Sequence, residues 1–154
     1  MRKAFYACDL HCHTTRSDGN DTPAELIANA SKSGISVLAI TDHDIKPPHT
    51  VSIAGEAMDI IEYAKQNHVQ LIKGIEISCE TFIDDVHIVC VGCDWDDSYF
   101  DELDLSTQDS KIKGYQELVK RLSSKGMKIS WEELLYNNGK SFLDKNIQKK
   151  HIFL

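Results

Sequence analysis

The chain reads as an α/β protein with a largely parallel sheet. Two observations carry that prediction. Short apolar runs alternate with stretches of helical periodicity from residue 4 to residue 91, the pattern of βα units stacked into one sheet. Polar, chemistry-bearing residues gather where the apolar runs end, and strand ends are where sites form in open α/β sheets and in barrels.

The first run, Ala4 to Ala7, leads into Asp9-Leu-His-Cys-His-Thr-Thr-Arg-Ser-Asp18-Gly19. Side chains alternate on a strand, so His11 and His13 are expected on one face with Asp9, and Leu10 and Cys12 on the other. Thr22-Pro-Ala-Glu25 opens a helix: Thr22 caps, Pro23 suits the first helical position and Glu25 completes a capping box. Leu26, Ile27 and Ala30 continue that helix and Gly34 is placed to end it. The run from Ile35 to Thr41 has no clean alternation, which fits a strand covered on both faces.

That strand delivers Thr41-Asp42-His43-Asp44, followed by a stiff loop through Pro47 and Pro48. Ile53, Ala57, Ile60, Ile61 and Ala64 then recur at helical spacing, predicting a helix over roughly 51–67. "VQLIKGIEI" is a third strand with Glu76 near its end, and "VHIVCVG" a fourth with His87 at its beginning. An acidic connection from Asp94 to Asp109 leads to a helix bearing Ile112, Tyr115, Leu118, Val119 and Leu122 on one face, which Gly126 closes. Ser130-Trp-Glu-Glu133 opens a short last helix with a second capping box. The expected order is β-α-β-α-β-β-α-α, in one domain over 1–154. Its motif-bearing part is 5–93, its helical part 108–137, and residues 140–154 form a polar basic tail ending in an apolar tetrapeptide.

A formal net charge of −7 argues against an extended nucleic-acid surface. It leaves an anionic substrate open, because acidic residues around bound cations create a locally positive site. No apolar run is long enough to span a bilayer, and the start turns polar too early for a signal peptide; a cytoplasmic protein without membrane contact is expected. Five cysteines, an odd number set in or beside strands, fit reduced thiols. Cys90 and Cys93 make one Cys-x-x-Cys without a second pair, and Cys90 is expected in the core.

Four strand ends thus offer donors: His11 and His13, His43, Glu76 and His87, with Asp18 on the first loop. Neutral imidazole beside carboxylate suits Zn, Mn or Fe. His49, His68 and His151 lack such settings, and His68 falls at a helix C-terminus, where the dipole favours it.

"DLHCHTTRSDG", "ISVLAITDHD", "IKGIEIS" and "VHIVCVG", in that order, resemble the successive motifs of the PHP superfamily of polymerase and histidinol phosphatase domains. The arrangement is most similar to stand-alone phosphoesterases acting on nucleotides or short RNA 5′ ends. The resemblance implies a distorted β/α barrel, of which this chain holds the N-terminal part. It implies up to three divalent metals, Zn, Mn or Fe with Mg also compatible. His11, His13 and Glu76 would hold the first, Asp18 and His43 the second, and Glu76 with His87 the third. Asp9 and Asp42 would support these ligands from behind, Asp42 by orienting His43 or its neighbours. Such ions lower the pKa of a shared water and neutralise phosphate oxygens, so a metal-activated hydroxide would hydrolyse a phosphomonoester or a nucleotide end. Arg16 could meet the substrate phosphate through its planar fork.

The later family motifs, a histidine and then an Asp-x-His pair, have no match after His87. Each metal position would be short of one ligand and the sheet would keep open edges, which invites a second copy to complete the barrel. A non-catalytic metal-binding or regulatory fragment and a histidinol-phosphatase-type enzyme are the alternative readings. A polymerase accessory domain is disfavoured by the chain's length.

Overall fold

Thr22 opens the first helix as its spacing predicts. Its side chain accepts from the Glu25 N–H while the Glu25 carboxylate accepts from the Thr22 N–H, with Pro23 next to the cap. In the computed structural model, which describes residues 7–82 and 85–137, the elements are β1 (Ala7–Cys12), α1 (Pro23–Lys32), β2 (Ile35–Ile40), β3 (Thr50–Ile53), β4 (Glu56–Asp59), α2 (Ile60–Gln66), β5 (Gln70–Glu80), β6 (Asp85–Val91), α3 (Ser98–Ser124) and α4 (Trp131–Asn137). The chain divides into two compact units between Phe100 and Asp101.

In the first unit the main sheet has the order β1-β2-β5-β6. β1, β2 and β5 run parallel, and β6 runs antiparallel to β5. The mixed α/β class expected from the alternating pattern is what forms. Leu38, Ala39 and Ile40 are all at most 1% exposed, so β2 is covered on both faces, as its unbroken apolar run implied. Ile27 and Ala30 of α1, and Ile60 and Ala64 of α2, close over it with Leu38, Ile40, Val51, Val69 and Trp95. The Trp95 indole N–H donates to the Gly74 carbonyl at 3.3 Å, which ties the segment after β6 to the middle of β5.

Two predicted boundaries are corrected. The helix expected over 51–67 is a hairpin followed by a short helix. Ala54 and Gly55 both take positive φ, 52° and 89°, the two-residue turn that joins antiparallel strands with their natural twist. β3 and β4 pair across it from Thr50–Asp59 to Ile53–Glu56. Helix formation begins only after Asp59, whose side chain caps the Glu62 N–H at 2.9 Å. The acidic connection from Asp94 to Asp109 is likewise mostly helix, because α3 starts at Ser98. Asp97 accepts the Tyr99 N–H at 2.9 Å, and Asp101 in the first turn complements the helix dipole.

The expected core role of Cys90 is a third correction. β6 lies at the edge of the sheet, and Val86, Ile88, Val89 and Val91 are 37–49% exposed. Cys90 is half-buried there, while Cys93, just past the strand, packs against the core. A strand with apolar residues on both faces is composed for cover on both sides, and the described residues supply little of it.

The second unit has its own small core. Val119 and Trp131 are buried among Ile112, Tyr115, Ile129 and Leu134. Gly126, at φ 89°, ends α3 as predicted, and Ser130 caps α4 by accepting the Glu133 N–H. No helix among the described residues is long and apolar enough to cross a membrane. The basic tail over 140–154, with His151, lies outside the described residues.

Candidate metal centre

Four of the six predicted donors, the imidazoles of His11, His13, His43 and His87, converge on a fifth, Glu76. Parallel strands end on the same side of a sheet, so β1 and β2 bring His11, His13 and His43 to one rim. His43 pairs with Glu76 in a single parallel bridge beyond the end of β2. The position of His87 at the start of its strand, odd in an all-parallel sheet, follows from the antiparallel direction of β6: that strand begins where its neighbours end. His87 stands opposite Ser78, two residues from Glu76 and on the same face.

Glu76 is 3% exposed. Its Oε2 lies 2.9 Å from His11 Nε2, 3.2 Å from His13 Nε2 and 3.7 Å from His43 Nδ1. Its Oε1 lies 2.9 Å from His87 Nδ1. Asp18, more than half exposed, reaches His13 Nδ1 at 3.3 Å and His43 Nε2 at 3.6 Å. Three overlapping groups result: His11, His13 and Glu76; His13, Asp18 and His43; His43, Glu76 and His87. Within each group the donor atoms lie within 4.8 Å of one another.

The electrostatics suit cation binding. Burial works to raise the pKa of the Glu76 carboxyl, but the hydrogen bond from His11, the charge of His43 and the hydrogen bond from His87 outweigh it, so the value falls below that of an ordinary glutamate. Burial lowers the His43 pKa; Glu76 and Asp18 oppose that shift, and His13 and His87 add to it. A lowered pKa keeps that imidazole neutral, the form that ligates. His43 Nδ1 is buried without a hydrogen-bond partner, an orphaned acceptor that a cation would satisfy. Nitrogen and carboxylate donors at these separations fit a divalent ion of the Zn, Mn or Fe type.

The supporting residues sit as follows around these groups. The β1 register breaks between Asp9 and Cys12, and Asp9 belongs to none of the three groups. Its carboxylate takes the His11 backbone N–H at 3.4 Å and faces the Cys12 thiol. Burial, with the Asp9 hydrogen bond and charge added, pushes that thiol up to about 12, and Cys12 belongs to none of the three groups. Asp42 was expected to orient His43 or its neighbours. Its side chain accepts the Thr14 N–H and hydroxyl at 2.7 Å each and the Ser17 hydroxyl at 2.6 Å, so its partners lie on the loop that carries Asp18. Arg16 Nη2 meets the Lys46 carbonyl at 3.4 Å, and its Nε is buried without a partner. His68 follows α2 in a left-handed conformation, and His49 lies 3.7 Å from Asp96 on the surface.

A family model described as "PHP domain" matches residues 9–152. The chain belongs to the PHP family. It is 33% identical over 144 residues, 93% of its length, to a 5′-3′ exoribonuclease of Haemophilus influenzae, of which the match covers 47%. Over 86 residues it is 34% identical to a 3′,5′-nucleoside bisphosphate phosphatase of Chromobacterium violaceum, covering 27% of that protein. A solved structure from Bifidobacterium adolescentis, assigned as a metal-dependent phosphoesterase, superposes on 95% of this chain at a TM-score of 0.69 and 28% identity. The chain accounts for 48% of that structure. It therefore spans about half the length of the longest-matching relatives, in keeping with an incomplete PHP barrel.

Gly19 sets the approach of the Asp18 loop to β1. A Cβ at this position would overlap the His13 carbonyl oxygen and crowd the Thr14 nitrogen. Gly19→Ala is expected to lower stability by about 1–3 kcal/mol, the usual cost of overpacking, and to weaken divalent-metal binding as Asp18 is pushed from His13 and His43. Chemical denaturation in chelator, followed by metal titration, reads both effects; an unchanged denaturation midpoint contradicts the close approach.

Proposed function

We propose that this chain carries the metal-binding part of a metal-dependent phosphoesterase that hydrolyses a phosphomonoester or a nucleotide or short RNA 5′ end. The observation that carries the reading is Glu76: one buried carboxylate shared by two of three donor groups, with four imidazoles around it. The phosphoesterase relatives point the same way. When bound, clustered divalent ions activate water at neutral pH and neutralise phosphate oxygens.

The chain's own residues have distinct tasks in this reading. Glu76 holds two groups at a fixed spacing through its two oxygens. His13 presents Nε2 to Glu76 and Nδ1 to Asp18; in the neutral ring one nitrogen donates to its carboxylate and the other keeps the lone pair that ligates. His43, kept neutral by burial, serves the two groups that Asp18 and His87 complete. Arg16 binds the substrate phosphate: no carboxylate among the described residues pairs with its guanidinium, and its planar fork matches phosphate oxygens. For the 154-residue chain by itself, a second copy is the proposed cover for the apolar edge strand β6, since an unpaired edge templates association.

Phosphate release from a mononucleotide or a 5′-phosphorylated dinucleotide, measured with added Mn or Zn, tests the activity. Glu76→Ala should abolish it together with metal uptake; turnover that survives this change sinks the reading. Arg16→Ala should raise KM by about tenfold or more, the order of one lost charge-assisted contact, with a smaller change in kcat. Light scattering of the purified chain should give the mass of a dimer or larger assembly, and a monomer with β6 uncovered would contradict the self-association.

A further inference from the structure

The loop from Thr14 to Gly19 carries Arg16 and Asp18, and its anchorage is concentrated in one place. Thr14 is fully buried. Its carbonyl accepts the Ser17 N–H at 3.0 Å and the Gly19 N–H at 2.9 Å, and its hydroxyl oxygen accepts the Arg16 N–H at 3.2 Å. The loop is thus folded around Thr14. Thr14 in turn is held through its own N–H and hydroxyl by Asp42, which is fully buried and adjacent to His43. Ser17, 6% exposed, makes the third and shortest bond to the same carboxylate.

Three short bonds to one buried acceptor are far more than a surface loop of this length needs to stay folded. What they do is join two strand ends: the loop after β1, bearing Asp18, and the loop after β2, bearing His43. To share an ion, the Asp18 carboxylate and the His43 imidazole must be held close to their 3.6 Å separation, yet Asp18 is more than half exposed. The distance between them is therefore set behind the site. The backbone completes the lock, because the Glu76 N–H donates to the Asp42 carbonyl at 3.1 Å and the Asp44 N–H to the Glu76 carbonyl at 2.8 Å.

We infer that Asp42, Thr14 and Ser17 form a buried positioning clamp that sets the Asp18–His43 metal position in preference to the His11 and Glu76 end, whose two residues lie on β1 and β5; Ser17 Oγ also lies 3.4 Å from His13 Nδ1, the nitrogen that faces Asp18. The inference rests on the reading of Asp18 and His43 as ligands of one ion. Asp42 is a positioning residue in this scheme, and its partners are the loop's hydroxyls rather than the imidazole beside it.

Mn binding to the full 154-residue chain, followed by calorimetry and by the paramagnetic resonance of free Mn, separates the possibilities without requiring turnover. Asp18→Ala and His11→Ala serve as references that identify the two classes of site. Ser17→Ala and Thr14→Val each delete a clamp hydroxyl. Both should weaken, by about tenfold or more, the class that Asp18→Ala removes, as loss of a group supporting a ligand usually does. The class that His11→Ala removes should stay within about twofold. Thr14→Ser, which restores the hydroxyl but not the methyl, should bind Mn like the unaltered chain. Equal weakening of both classes, unchanged binding in Ser17→Ala and Thr14→Val, or a Thr14→Ser as weak as Thr14→Val would each overturn the clamp. If Asp18→Ala itself leaves Mn binding intact, the ligand reading fails along with the clamp. Loss of binding in the hydroxyl variants while Asp18→Ala and His11→Ala behave as references isolates the clamp as the cause.

Discussion

A single buried carboxylate organises the rim of the sheet. Glu76 sits where β5 passes between the end of β2 and the start of β6, and both of its oxygens are taken by imidazoles. Burying a carboxylate is costly unless charge-assisted bonds compensate. Here four histidines from three other strand ends surround it. Removing Glu76 would leave those rings facing one another, with His11 and His13 Nε2 only 3.1 Å apart.

The direction of β6 is the second constraint. An antiparallel strand presents its first residues where parallel neighbours present their last, and this alone brings His87 to the other three imidazoles. The same strand ends the sheet with apolar residues open on both faces. Strand and site are therefore coupled: the element that delivers His87 is an edge strand exposed on both faces among the described residues. Whatever covers β6, a second copy in the reading proposed here, steadies the His87 end of the centre as well.

The opposite end is steadied from within. Asp18 reaches the site from a loop, and loops tolerate change unless their backbone groups are tied down. Gly19 permits the close approach to His13, and Thr14 and Ser17 hang the loop from Asp42. One side of the centre thus depends on a buried polar knot and the other on cover for an edge strand, which gives the two ends different sensitivities to mutation and to assembly.

The candidate donors were legible in the sequence: His11, His13, His43 and Glu76 stand at or near the end of an apolar run, His87 at the start of one and Asp18 on the loop that follows the first. The capping box at Thr22 and the helix stops at Gly34 and Gly126 were legible too, because each depends on only a few neighbouring residues. The hairpin at Ala54-Gly55 was not, since Ile53, Ala57 and Ile60 satisfy helical spacing, and only pairing across the turn between Thr50–Ile53 and Glu56–Asp59 overrides it. The early start of α3 was hidden by its acidic composition. Exposure of β6 was equally invisible, because an apolar run specifies that a strand wants cover and says nothing of whether cover is present. The target of the Asp42 side chain was a tertiary decision as well. Sequence adjacency left His43 and its neighbours open as partners, and the packing of two loops from different strand ends, with the Thr14 amide and the Thr14 and Ser17 hydroxyls converging on one buried carboxylate, decided among them.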